Sequence, residues 1–291
     1  MVPSRRQGSL TERDQAVLRD LADFRYLSTR QIARLHFGNL KLTQRRLRRL
    51  LASGYVVRVP TEPAARAGFH EWVYAASPGR VGQFPGVDAT RFAGAVLDPS
   101  RGFGLRYAAH HRVLTDFRIW LREGVTRSAG AFTCDFIPGY AESSRVQGRR
   151  RLASIDVGTP YGLLVPDGLF VLRRSDGRAA LFFLEIDRGS EPLRGKHASS
   201  VLRKLEMYRK VYDGRLFDSF SVAFDYDFSG FRVFFVTPDE ARALAILNVA
   251  ESADLEPLVW TTIENSLSAP GDLAAPVWKD SPEGQLRPLN E

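Results

Sequence analysis

The hydrophobic and polar positions from Thr11 to Gly54 predict three short helices. Thr11 is a typical N-cap residue, and the apolar residues that follow it recur at helical spacing. Ser28 begins a second helix, because Gln31 three residues later completes a capping box. A third helix extends from about Leu42 and ends before Gly54, since glycine favours the left-handed conformation found just after helix C-termini.

The alternation of apolar and polar residues after the third helix predicts a β-hairpin. Residues 55–59 and 71–74 are strand-like runs, and a loop rich in Pro, Ala and Gly joins them. Three helices closed by a hairpin are typical of a winged helix-turn-helix, whose recognition helix lies in the major groove of DNA. The basic residues predicted to contact DNA are Lys41, Arg45, Arg46, Arg48, Arg49 and Arg58. The alternative is a winged helix that docks to a protein.

The distribution of charge favours a polyanionic partner. The chain carries a net charge of +8, and the segment up to Pro60 contains thirteen Lys or Arg against four Asp or Glu. That segment therefore holds the whole excess of positive charge, while the remainder is close to neutral. A basic module on a near-neutral body is typical of nucleic-acid-binding proteins, although a basic surface that is merely solvated has the same composition.

The rest of the chain predicts a second domain of mixed α and β structure. We assign residues 1–76 to the winged helix-turn-helix, 77–104 to a Gly- and Pro-rich linker, 105–268 to the second domain and 269–291 to a tail. The predicted strands are 131–137, 163–172, 179–187, 219–226 and 231–237, and the predicted helices are 105–123, 194–212 and 238–250.

Several classes of protein are excluded by composition. No apolar run approaches the ~18 residues of a membrane span. The N-terminus leads into a polar helix, so a signal peptide is not expected and the predicted location is cytoplasmic. Cys134 is the single cysteine of the chain, which excludes an intrachain disulfide and a cysteine zinc cluster.

Two apolar strands of the second domain carry acidic residues. Asp167 lies in the first strand, and Glu185 and Asp187 lie in the second. A carboxylate inside a sheet needs a charged partner or a cation. Glu185 and Asp187 share one face of their strand, because side chains alternate along it.

The turn at Ser175-Asp176-Gly177 allows two registers between these strands. A two-residue turn places Asp167 opposite Ile186. A three-residue loop, with Gly177 in the left-handed conformation, places Asp167 opposite Glu185 with their Cβ atoms ~5 Å apart. In the second register the two carboxylates repel each other unless a divalent cation such as Mg²⁺ or Mn²⁺ lies between them.

A lysine is the third chemical feature of this domain. Lys204 lies within or beside the apolar face of the helix that follows the second strand, close to Tyr208 on the helical wheel. A lysine in this position needs an acidic partner or a ligand phosphate. Lys204 therefore either serves a functional site or forms a structural ion pair with Glu185 or Asp187.

Asp167, Glu185-x-Asp187 and Lys204-x-x-x-Tyr208 together resemble the core of the PD-(D/E)xK nuclease-like superfamily. Over residues 10–240, the chain resembles the replication-relaxation proteins of plasmids and other mobile elements. This wider resemblance also rests on the winged helix and three short motifs: His111-Arg112-x-Leu114, Pro166-Asp167 and Leu184-Glu185-Ile186-Asp187-Arg188-Gly189. One position departs from the superfamily pattern, because Asp187 stands where a lysine is usual. Lys204 on the next helix is the candidate replacement.

The resemblance implies a metal-dependent endonuclease site in a mixed α/β domain. Asp167 and Glu185 would hold one or two Mg²⁺ or Mn²⁺ ions, with Asp187 as a further ligand or as a partner of Arg188. The implied catalytic residues are Asp167, Glu185 and Lys204. Lys204 would orient the attacking water or stabilise charge on the phosphorane.

Two functions follow from these features. The first is a protein of mobile-element replication or mobilisation that binds double-stranded DNA and carries a nuclease-like domain. The second is a non-catalytic regulator of transcription or replication, whose second domain forms a homodimer or recruits replication or mobilisation proteins. A membrane partner is not expected in either case.

Overall fold

The computed structural model describes residues 10–59, 72–77, 79–80, 105–143, 150–195, 200–255 and 258–290. The chain divides into two compact units, residues 1–115 and 116–291. Nearly all of the predicted linker 77–104 lies outside the described residues. None of the described helices is long and apolar enough to cross a membrane.

The first unit contains the predicted three helices and hairpin. Its elements are α1 (Glu12–Phe24), β1 (Leu27–Ser28), α2 (Thr29–Ile32), a π-helical turn (Ala33–Phe37), α3 (Leu40–Ala52), β2 (Val56–Val59) and β3 (Val73–Ala76). The antiparallel sheet has the order β1–β3–β2. Thr11 and Ser28 form the capping boxes of α1 and α2. This is the order of elements expected for a winged helix-turn-helix.

The third helix begins two residues earlier than predicted. Asn39 is its N-cap, and the Asn39 side chain accepts a hydrogen bond of 3.1 Å from the Leu42 amide. Leu47 and Leu50 are buried on one side of this helix. The apolar stripe therefore fixes which side of α3 faces solvent.

The second unit is built on a mixed five-stranded sheet. The boundary between the two units falls within the helix α4 (Leu105–Arg127), whose residues from Asp116 onward belong to the second unit. The strands are β4 (Phe132–Pro138), β5 (Glu142–Ser143), β6 (Arg150–Arg151), β7 (Ile155–Asp156), β8 (Leu163–Leu164), β9 (Gly168–Arg174), β10 (Ala179–Ile186), β11 (Phe231–Thr237) and β12 (Val259–Ile263). The helices are α5 (Val201–Asp213), α6 (Asp218–Phe224) and α7 (Glu240–Glu251), and a 3-10 turn spans Glu264–Ser268.

The strand order of the main sheet is β12–β11–β10–β9–β4. The pairs β4–β9 and β9–β10 are antiparallel, while β10–β11 and β11–β12 are parallel. The segments that connect the parallel strands contain helices. Parallel pairing requires such a long crossover, and a helix is its usual form. The prediction of an α+β fold with a mixed sheet is confirmed.

The two faces of this sheet bury different side chains, because neighbouring residues of a strand point to opposite sides. On one face, Leu169, Val171 and Phe183 belong to a core that includes α5 and α7. On the other face a group of aromatic rings forms contacts: Phe117, Trp120, Phe136, Phe170, Phe182, Phe234, Trp260 and Trp278. Both faces are covered, so the strands are nearly continuous apolar runs.

Three predicted elements differ in the structure. Residues 219–226 were predicted as a strand, but α6 occupies 218–224, where the backbone satisfies its hydrogen bonds locally. The predicted strand 163–172 is divided between β8, which pairs with β7, and β9, which pairs with β10. The helix predicted over 194–212 begins at Val201, where Ser200 is its N-cap.

Residues 258–290 belong to the second unit. They add β12 to the edge of the sheet, and Trp278, from the segment expected as a tail, is fully buried. Its ring lies 4.3 Å from that of Phe234 between centroids. Backbone hydrogen bonds between Thr261 and Lys279 hold the segment in place. This burial completes the aromatic face of the sheet.

Candidate functional site

One side of α3 is strongly basic. Lys41, Arg45, Arg48 and Arg49 are exposed on this helix, whereas Thr43, Leu47 and Leu50 are buried. The exposed cations recur at intervals of three to four residues, so they form a continuous surface along the helix. Four of the six residues predicted to contact DNA therefore lie on one helix face.

Arg46 has a different place from its neighbours. Its guanidinium forms a bidentate ion pair with Asp14 of α1 and donates a further hydrogen bond of 3.2 Å to the Thr11 hydroxyl. The Asp14 side chain is 0% exposed. Arg46 thus joins α3 to α1, and its predicted role as a DNA contact is not what this geometry supports. The sequence gives no signal for the pairing, because the two residues are 32 positions apart.

The Asp14–Arg46 pair has a measurable consequence for stability. Burial alone would raise the pKa of Asp14, but hydrogen bonds from Arg46 and Thr11 outweigh it and the pKa lies below its ordinary value of 3.8. The stability that this pair contributes is present above that value and is lost as pH falls through the lowered pKa. We expect Asp14→Asn to cost about 2–3 kcal/mol at pH 7, because it leaves a half-buried guanidinium without its charged partner.

Hydrogen exchange of the α1 and α3 amides measures this cost in the first unit alone. Glu12→Gln on the same helix is the matched control, because Glu12 is exposed. Exchange rates that are the same in Asp14→Asn and the wild type would show that the ion pair contributes nothing.

Arg58, the sixth predicted DNA contact, lies on the hairpin. It is exposed on β2, and its guanidinium lies 4.3 Å from the centroid of the Trp72 ring. Trp72 precedes β3 and is 55% exposed. No motif in the sequence predicts a role for Trp72.

The turn between β9 and β10 adopts the three-residue form. Gly177 has a φ of 87°, and Arg174 and Arg178 close the loop through a backbone hydrogen bond of 2.8 Å. Leu184 pairs with Gly168 in the ladder. Asp167, one residue before Gly168, therefore falls level with Glu185.

Asp167 also stabilises the end of the hairpin. Its Oδ2 accepts a hydrogen bond of 2.8 Å from the backbone amide of Ile186. Its backbone carbonyl accepts another of 2.8 Å from Gly139. The carboxylate is thus held at the point where β9 begins and β10 ends.

Glu185 is the centre of a buried polar cluster. It is 1% exposed, and both of its carboxylate oxygens are hydrogen-bonded. Lys204 Nζ donates to Oε2 at 2.9 Å, and the Tyr208 hydroxyl donates to Oε1 at 2.6 Å. Lys204 Nζ also lies 3.5 Å from Oε2 of Glu191, a residue that no motif in the sequence indicates. We call Asp167, Glu185, Glu191, Lys204 and Tyr208 the carboxylate–lysine cluster.

The helix α5 brings two of these donors to the strand. Lys204 and Tyr208 are four residues apart, so they project from the same side of the helix. Val201 and Leu205 anchor that side in the core. The pairing of Lys204 with Glu185, one of the two partners left open by the sequence, is the one found in the structure.

Burial and the neighbouring charges together set the ionisation of this cluster. Removal from water raises the pKa of Glu185 to about 7; the Lys204 charge and the Tyr208 hydrogen bond oppose this rise, and nearby Asp167 adds to it. Burial alone would lower the pKa of Lys204, but the carboxylates of Glu185, Asp167 and Glu191 raise it above its ordinary value. Burial also raises the pKa of Tyr208. Lys204 therefore remains charged at neutral pH.

Asp187 belongs to a separate ion pair. It is 4% exposed, and its two oxygens accept from Arg242 Nε at 2.9 Å and from Arg242 Nη2 at 2.7 Å. Arg188, its predicted partner, pairs instead with Glu264. Arg242 lies on α7, 55 residues further along the chain, so the sequence offered no sign of this contact.

The donor set can be tested against the Mg²⁺ or Mn²⁺ that the resemblance implies. Asp167 and Glu185 present carboxylate oxygens, which these ions prefer, on adjacent strands. Asp187 does not fit, because Arg242 occupies both of its oxygens. Within the described ranges, no group of three or more His, Cys, Asp or Glu side chains is placed to hold a metal ion. The fit is thus limited to two carboxylates, one of which already binds Lys204.

Comparison with known proteins identifies the family of the chain. The model of the replication-relaxation family matches residues 18–220, more than half of the 291 residues. Among solved structures the chain is similar to the restriction endonuclease SdaI, with 13% identity, coverage of 91% of this chain and 89% of SdaI, and a TM-score of 0.24. No curated protein matches. The match to the family model confirms the prediction from the motifs: the chain belongs to the replication-relaxation family.

Proposed function

We propose that this protein binds double-stranded DNA through the basic face of α3. The observation that carries the proposal is the exposure of Lys41, Arg45, Arg48 and Arg49 on one side of a helix. A helix of about 10–12 Å diameter fits the major groove, and flanking cations neutralise the phosphates on both sides. Arg46 is absent from this interface, because it is committed to Asp14.

The cellular role that we infer is replication or mobilisation of plasmids and related elements in the cytoplasm. The family supports this role. The excess of positive charge in the segment up to Pro60 supports a nucleic-acid partner over a protein one.

Duplex binding is tested by fluorescence anisotropy with a labelled duplex over about 50–200 mM salt. Each phosphate neutralised by Lys or Arg contributes about −0.9 to the slope of log K against log salt, so four contacts give a slope of about −3.6. A salt-independent affinity, or no binding at low salt, would overturn the proposal.

A second candidate function is metal-dependent cleavage of a phosphodiester by the second unit. The observation in its favour is that Asp167 and Glu185 lie together with Lys204, the candidate replacement for the lysine that is usual at position 187. Asp167 and Glu185 would hold the ion, which supplies a more acidic bound water and neutralises phosphate charge. Glu185 could hold the ion only after releasing its ion pair with Lys204. Released Lys204 would keep Glu191 as a partner and direct its ammonium toward the phosphate.

The cleavage proposal predicts a metal-binding protein. Calorimetric titration with Mn²⁺ should give binding that Glu185→Gln weakens at least about 10-fold, because the amide lacks the charge that a divalent ion requires. The same preparations are incubated with supercoiled plasmid and Mn²⁺, and only the wild type should nick it. Asp176→Asn, which removes an exposed carboxylate from the β9–β10 turn, is the matched control.

Mn²⁺ binding and nicking are separate results. Nicking that persists in Glu185→Gln would assign the cleavage to another protein or another site. Absence of Mn²⁺ binding would favour the alternative function, a regulator that binds DNA and uses its second unit for dimerisation or for recruiting replication proteins.

A further inference from the structure

Trp72 differs from the other three tryptophans of the chain. It is 55% exposed, while Trp120, Trp260 and Trp278 are 1%, 6% and 0% exposed. An indole that stays in water forgoes the large hydrophobic stabilisation obtained by the buried ones. A large exposed aromatic side chain is therefore more informative about binding than an exposed aliphatic one.

The surroundings of Trp72 hold it in a defined position. The Thr29 amide donates a hydrogen bond of 3.1 Å to the Trp72 carbonyl, and the next residue, Val73, pairs with both Ser28 and Val59. The Arg58 guanidinium covers the indole at 4.3 Å from the ring centroid. A ring held in this way loses little conformational freedom when it binds a ligand.

The pair combines the two properties that single-stranded nucleic acid requires of a binding surface. Aromatic rings stack on bases of any sequence, and arginine binds the phosphates that flank them. Bases inside a duplex are already stacked on both sides, so only an unpaired base offers its face to an indole. The basic charge of the segment up to Pro60 favours a nucleic acid here over an apolar protein surface.

We propose that Arg58 and Trp72 form a stacking site for an unpaired base, next to the duplex held by α3. The preferred ligand is then a duplex that continues into a single strand. This inference rests on the proposed binding of DNA by the first unit. The basic face of α3 does not by itself distinguish a tailed duplex from a blunt one, whereas the stacking site would.

The test compares a blunt duplex with the same duplex carrying a single-stranded tail, using anisotropy and the full-length chain. One stacked base should make the wild type bind the tailed duplex about 10-fold more tightly than the blunt one. Trp72→Ala should abolish this preference and leave the affinity for the blunt duplex unchanged. Trp72→Phe, which retains a ring, should keep part of the preference.

A control in the second unit shows whether loss of any stacked arginine has the same effect. Arg232 lies 4.8 Å from the ring centroid of Trp260, which is buried. Arg58→Ala should reduce the preference for the tailed duplex, whereas Arg232→Ala should not.

Acrylamide quenching provides a direct readout, because the quencher reaches Trp72 far more readily than the three buried tryptophans. In the wild type, the tailed duplex should reduce the quenching of Trp72 by acrylamide. In Trp72→Phe, the readily quenched part of the fluorescence should be absent with or without DNA. Equal affinities for the two duplexes and no protection would overturn the stacking site while leaving duplex binding intact. No binding of either duplex would overturn both proposals. Protection that grows with protein concentration without DNA would overturn the stacking site in favour of self-association.

Discussion

Reversing three charges on the basic face of α3 should abolish duplex binding. In the variant Arg45→Glu/Arg48→Glu/Arg49→Glu, we expect the Kd to rise by at least about 1000-fold at low salt, because three phosphate contacts become repulsions. The slope of log K against log salt should become shallower by about 2.7, because each lost contact removes ~0.9 from its magnitude. Anisotropy with a labelled duplex measures both quantities.

A matched variant separates this local effect from a general loss of positive charge. Arg174, Arg178 and Arg215 are exposed on the second unit, with side-chain exposures of 47%, 69% and 53%. Their simultaneous reversal changes the net charge by the same amount. It should alter the Kd by less than about 10-fold, since most of its effect is long-range and screened by salt. Equal losses in the two triple variants would contradict an interface on α3.

Removing the charge of Lys204 should destabilise the second unit strongly and in a pH-dependent way. Lys204→Met leaves Glu185 buried without its counter-ion, which costs about 3–5 kcal/mol at pH 8. Near pH 5 the cost should be much smaller, because Glu185 then takes up a proton instead of remaining charged. Urea unfolding in a Trp72→Phe background, followed by the fluorescence of Trp120, Trp260 and Trp278, measures the loss in the second unit.

The sign of this pH dependence follows from the direction of the shift. Burial raises the pKa of Glu185 to about 7 from the ordinary value of 4.5, with Lys204 and Tyr208 opposing the rise and Asp167 adding to it. A raised carboxyl pKa contributes stability at low pH that is lost as the pH rises through about 7. Loss of the Lys204 charge raises this pKa further, so the variant suffers most above neutral pH.

Two further variants test this explanation. Lys210→Met removes an exposed lysine from the same helix and should cost less than about 0.5 kcal/mol. Glu185→Gln combined with Lys204→Met should recover most of the loss, because the buried carboxylate that needs Lys204 is then neutral. If Lys204→Met costs the same at pH 5 and pH 8, the contribution of Lys204 is packing and not charge.

The carboxylate–lysine cluster shows how far local sequence can define a site. Charged residues in apolar runs need partners, which indicates Asp167, Glu185 and Lys204 as site residues, and the structure brings these three together. Asp187 satisfied the same criterion but pairs with Arg242. Alternation along a strand gives the face of a side chain, yet it does not say which helix covers that face.

The basic face of α3 shows a similar division. Helical periodicity correctly separates Leu47 and Leu50 from the exposed arginines. It does not show whether Arg46, which lies at the border between the buried and the exposed side, faces DNA or another element. The position of α1 makes that distinction by supplying Asp14.

Local patterns of residues were enough to identify the family, the three helices and hairpin of the first unit, and the four main strands β4, β9, β10 and β11. These features depend on caps, turn residues and periodicity, all of which act over a few neighbouring residues. Folding of the whole chain was needed to settle the register at Gly177, the helical state of residues 218–224, and the ion-pair partners of Arg46, Asp187 and Lys204. The ion-pair partners depend on contacts between residues far apart in the chain, because a buried charge needs an opposite charge and only the fold decides which one lies within reach. In the other two cases the local sequence allows more than one backbone conformation, and packing in the folded chain selects one.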